Sequence, residues 1–164
     1  MGDRLRGESA QIVKAIENGA WTIDLLVYPA VFNYRHGAEL YLKHLTILAN
    51  RLLQTGATMQ QGHSILHNWR TLGALFTQLN DPYFKAVDID VVGRVLTDLA
   101  AVDPTGQVFR YPEDNKGNQH LEDIGIISVE VLADGMDILL EVFQSWNSGL
   151  FALLERKQLN TNSI

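Results

Sequence analysis

From Ala30 to Gln54 the apolar residues return every three or four positions. At about 100° per residue, Tyr34, Tyr41, Leu45, Leu48 and Leu52 fall on one face, and Ala38, Leu42, Ala49 and Leu53 widen it. Arg35, His36, Glu39, Lys43, Thr46 and Asn50 fall on the other side, with Leu40 and Ile47 along its edge. The same period runs from His63 to Leu79. There Ile65, Trp69, Leu72, Phe76 and Leu79 share a face, while His63, His67 and Arg70 lie opposite with Thr77 alongside. Both stretches are predicted to be amphipathic helices whose apolar faces meet in one core.

Caps and breakers place the other elements. Ser9 opens a short N-terminal helix through Ala10, Ile12, Val13 and Ile16, and Asn18-Gly19 stops it. Thr22 caps a segment from Ile23 to about Phe32, with a kink or break expected at Pro29. The long helix follows from Ala30 to Gln54, with Gly56 as its stop, and Gly62 precedes the next, from His63 to Leu79. Asn80-Asp81-Pro82 ends that helix; Asp88 or Asp90 caps another through Val102, closed by Asp103-Pro104. Residues 103–122 read as a long ordered loop, in which only Val108–Tyr111 has a strand-like pattern. A last helical region runs from Ile124 to about Lys157, divided at Gly149, and the tail from Asn160 is expected to fray. The expected fold is all-α: a bundle of four main helices plus a short N-terminal helix and a long loop before the last helix. At 164 residues it forms a single domain, with its core between about residues 8 and 157.

Composition narrows the classes. Apolar residues make up 46% and charged residues 20%, ordinary values for a globular protein. The absence of cysteine excludes disulfides and thiolate metal sites, and fits a cytoplasmic setting. No apolar run is long enough to cross a membrane, and no signal peptide is expected from the first residues. The net charge of −6 is unevenly spread. Residues 104–164 hold nine acids and four bases, whereas residues 25–80 set Arg35, Lys43, Arg51 and Arg70 against one acid, Glu39, and hold four of the five histidines. The chain is thus not a generic nucleic-acid binder, but a local anion site in residues 25–80 is open.

The row Arg35, Glu39, Lys43 has two readings. As a solvated helix face, its i,i+4 pairs contribute only about 0.2–0.5 kcal/mol each. As the wall of a site, it would border a groove shared with His63, His67 and Arg70, provided the two helices pair antiparallel as a short connection favours. Arg110, in "VFRYPEDNKGN", would pair with Glu39 or Asp103, or reach a ligand phosphate. His36, Glu39, His63 and His67 have spacings that place metal ligands on helix faces, without the metalloprotease signature. No phosphate-cradling glycine loop is present, and there is no cysteine to serve as a nucleophile.

Three segments in order, "YPAVFNYRHGAELYLKHL", "GHSILHNW" and "VDPTGQVFRYPEDNKGN", resemble bacterial proteins with a HEPN-like helical domain, over about residues 26–122. The resemblance implies a helical bundle that commonly dimerises. Many such proteins are metal-independent endoribonucleases of toxin–antitoxin, CRISPR-linked and other anti-phage systems. Their motif sets an arginine about four to six residues before a histidine, the histidine moving protons and the arginine stabilising the phosphorane. This chain departs from it: His36 directly follows Arg35, His44 is too far on, and the intervals from Arg51 to His63 and from Arg110 to His120 are too long. The expectation is therefore a homodimeric binding or assembly protein, associated with RNA, a nucleotide or a protein partner. It needs no cofactor, and Arg35, Glu39, Lys43, His63 and Arg110 form its polar cluster. The alternatives are an endoribonuclease with a rearranged site drawn from Arg35, His36, His63 and Arg70, or a metal-binding bundle.

Overall fold

The computed structural model describes residues 23–57, 62–103 and 129–161. They form four helices: α1 (Ile23–Leu53), α2 (Ile65–Leu79), α3 (Ala86–Val102) and α4 (Val129–Thr161), with no strand among the described residues. The expected all-α bundle of four main helices is what forms. The short N-terminal helix, the long loop and Val108–Tyr111 lie outside the described residues.

The helices make a ring: α1 packs on α2 and α4, and α3 packs on α2 and α4. α1 and α4 run in the same direction. The Tyr41 ring lies 5.3 Å from that of Phe143, His44 Nε2 is 2.8 Å from Asn147 Oδ1, and Lys157 Nζ donates to the Leu52 carbonyl at 2.6 Å. Inside the ring, Trp146 is fully buried, stacked on Trp69 at 6.0 Å and edge-on to Phe76 at 5.0 Å. Phe76 in turn stacks on Phe84 at 4.0 Å. Aromatic burial of this kind supplies much of a small core's stabilisation. The apolar face predicted for the long helix is the buried one, with Ala38, Leu42, Leu45, Leu48 and Ala49 all within 3% exposure.

Several boundaries differ from the sequence expectation. Pro29 neither ends nor splits the first helix, which is continuous from Ile23 to Leu53. The proline sits on the exposed side, and the helix carries through it with one backbone hydrogen bond fewer. α2 begins at Ile65, capped by Ser64, whose Oγ accepts from His67 N; His63 precedes the helix rather than opening it. α3 begins at Ala86, so Asp88 lies within its first turn, where a carboxylate favours the helix dipole, and neither Asp88 nor Asp90 is the cap. Gly149 does not divide α4. It is buried under Tyr83, and a Cβ there would come within 2.8 Å of the tyrosine Cγ. Asn160, expected in a frayed tail, is still within α4.

Candidate functional site

The short connection after α1 does not lead into an antiparallel partner. Gly62 and His63 lie beside residues 35–43 in the middle of α1, so α2 begins there and not at the end of α1. Gly62 makes this turn with φ of 100°, a conformation side-chain-bearing residues rarely adopt. Gly62 and His63 cover the middle of the polar stripe of α1, and Asp103, the C-cap of α3, closes it from another side. The stripe is therefore not a solvated face: Arg35 is 2% and Glu39 1% exposed, and Asp103 is fully buried.

Within this closure each of the three Arg35 nitrogens has a protein acceptor. Nε donates to the Asp103 carbonyl at 3.0 Å and lies 3.6 Å from its Oδ2. Nη1 donates to Glu39 Oε2 at 3.1 Å and Nη2 to the His63 carbonyl at 2.6 Å. Lys43 Nζ donates to Glu39 Oε1 at 2.8 Å and to the Gly62 carbonyl at 2.7 Å. Two bases and two acids thus face each other, which is the condition for holding charge inside a bundle. Burial pushes the Glu39 carboxyl up, but the hydrogen bonds from Lys43 and His63, the Lys43 charge and the Arg35 hydrogen bond outweigh it and hold the group below the ordinary glutamate range.

His63 is the outward part of this network. Its Nδ1 lies 3.0 Å from Glu39 Oε1, yet its side chain is 70% exposed. An ionised carboxylate only accepts, so Nδ1 carries the proton in this contact and the remainder of the ring is presented to solvent. His67 and Arg70, within the next two turns, are also exposed.

Of the residues expected to form a polar cluster, Arg35, Glu39, Lys43 and His63 meet, and Arg110 lies outside the described residues. The pairing foreseen for Arg110, with Glu39 or Asp103, is made by Arg35 to both. His36 turns away and stacks on Phe32, ring centroids 5.8 Å apart. Of the four metal candidates only Glu39 and His63 come together, and among the described residues no group of three or more metal-ligating side chains forms. Three acceptors were not foreseen, the carbonyls of Gly62, His63 and Asp103, because a backbone acceptor leaves no mark on residue type. Asn68 was also missed: it is buried at 1% exposure among the apolar contacts of α2.

Compared with known proteins, the chain matches no family model, no curated protein and no solved structure. No described helix is long and apolar enough to cross a membrane.

Proposed function

We propose that this chain is a HEPN-like binding or assembly domain, dimeric and cytoplasmic, of a bacterial defence or toxin–antitoxin type system. In this reading the cluster of Arg35, Glu39, Lys43 and Asp103 is a lock that holds the bundle together rather than a ligand pocket. The family reading rests on the three-segment resemblance over residues 26–122, and the lock rests on the donation of all three Arg35 nitrogens to protein acceptors in a site closed to solvent. A phosphate cannot enter without displacing those bonds, so contact with an RNA or nucleotide falls to the exposed groups at the start of α2: His63, His67 and Arg70. Fluorescence titration with labelled RNA, DNA and nucleotides at low salt tests it. Binding should weaken with added salt, and Arg70→Ala should reduce the salt dependence. No binding of any of the three at low salt ends the ligand part of the reading.

A second reading, a metal-independent endoribonuclease, is favoured by one contact: the buried, ionised Glu39 orients an otherwise exposed His63. Arg35 is committed to the lock, which leaves Arg70 to stabilise charge on a phosphorane. RNA incubated with the protein in EDTA should then be cut by the wild type and not by His63→Ala. Cleavage that persists in His63→Ala removes His63 from the chemistry.

A further inference from the structure

A separate cleft opens between α3 and α4 and shares no residue with the lock. Its volume is about 530 Å³, and it is open to solvent along one side. Val31 of α1 and Leu99 of α3 form its buried floor, and Val95 and Val102 of α3 face Leu132 and Ile138 of α4 across it. Gly135 lets the two walls approach: a Cβ there would come within 3.2 Å of Val95. The apolar surface is not sealed, since Ile138 is 42% and Val131 71% exposed at the α4 lip.

Among the described residues, the charged groups that line the cleft are both acids. Asp98 stands on the α3 side and Asp134 on the α4 side, both exposed. Residues 129–155 carry Glu130, Asp134, Asp137, Glu141 and Glu155, and no lysine or arginine. The one base of α3, Arg94, is not among the lining residues. This chemistry discriminates between occupants. A nucleic-acid backbone would meet acids of its own sign. A second copy docked face to face would set acidic rim against acidic rim, a costly arrangement in a two-fold interface. An amphipathic helix with leucine or isoleucine at i, i+3 or i+4 and i+7 and bases on both flanks satisfies the floor and both lips at once.

We infer that the α3–α4 cleft docks a basic amphipathic helix of a partner protein. This surface goes beyond the phosphate-binding reading and does not depend on it.

The test uses the full chain and a synthetic leucine/lysine helix of about 15 residues, some 22 Å long, with a scrambled peptide of the same composition as control. Anisotropy of the labelled peptide should show binding, while the scrambled peptide binds at least about tenfold more weakly. Paired Asp98→Asn and Asp134→Asn substitutions, both on exposed positions, should weaken binding about tenfold, and Ile138→Asp should do the same. Because the chain has no cysteine, Ile138→Cys supplies a single thiol. It should react readily with a maleimide in the free protein and slowly once the peptide is added. Four results overturn the proposal: equal binding of the scrambled peptide, unchanged affinity in the Asp98/Asp134 variant, a thiol already slow to react in dilute peptide-free protein, which means the chain's own residues fill the cleft, or slowing that grows with protein concentration alone, which means a second copy does. Circular dichroism checks each variant's helix content; should Ile138→Asp lose it, the Asp98/Asp134 variant carries the comparison.

Discussion

At the scale of single residues, the difference between an exposed ion pair and a buried one decides what Arg35 and Glu39 are for. The i,i+4 spacing is visible in the sequence, and on a wet surface would contribute a few tenths of a kcal/mol. Closed off by Asp103 and the residue 62–63 turn, the same pair becomes a structural necessity, because removing one partner strands a charge in the interior. Arg35→Ala is expected to cost about 3–5 kcal/mol, measured as a fall in the urea midpoint. Lys43→Ala should cost less, since its ammonium keeps 11% exposure. Glu39 also makes stability depend on pH. Its folded value is depressed, so the unfolded chain takes up the proton more readily, and stability rises with pH across the interval between the two values. The contribution is complete above the unfolded value, about 4.3, and is lost as pH falls through the lower, folded one. Urea denaturation from neutral to acid pH should therefore show the stability difference between wild type and Glu39→Gln shrinking below about pH 4.3.

At the scale of elements, the helices were legible, as were the ends of α2 at Leu79 and of α3 at Val102, but the starts of α1, α2 and α3 were not. Apolar periodicity found α1 and α2 with the buried faces they have, because that signal is repeated over many turns. A boundary rests on one or two residues: α2 starts where the Ser64 side chain caps it, two positions after Gly62. Pro29 and Gly149 show the same limit: both break helices by propensity, and both sit inside continuous ones. Gly149 is required by a neighbour 66 positions earlier in the chain, Tyr83, whose ring lies on the α4 backbone. In an exposed helix, glycine to alanine stabilises by about 1 kcal/mol. Here Gly149→Ala should destabilise by about 1–3 kcal/mol through overpacking. A double-mutant cycle with Tyr83→Ala should recover part of the loss, and additive costs would show that the contact is not the cause.

At the scale of the whole molecule, α1 is the axis on which the other parts are assembled. α4 runs alongside it in the same direction from Tyr41/Phe143 to Leu52/Lys157, and the turn before α2 is clamped to its middle. Trp146 joins this assembly to α2 through Trp69 and Phe76. Trp146→Ala should cost about 3–5 kcal/mol in chemical denaturation. Far-ultraviolet circular dichroism and the fluorescence of the remaining tryptophans should still report one coincident transition, because the helices share a single core.

The sequence by itself determined the helical class, the core faces of α1 and α2, and the grouping of Arg35, Glu39 and Lys43 on one side of a helix. Those properties follow from spacing along a regular helix, and spacing is written in the chain. Tertiary structure alone decided that this side is closed rather than wet, that Asp103 and two backbone carbonyls complete it, and that His63 faces outward while Arg35 does not. These outcomes depend on where a turn at Gly62 and the end of α3 come to rest against α1. Such contacts between distant segments have no period and no residue-type signature from which to be read.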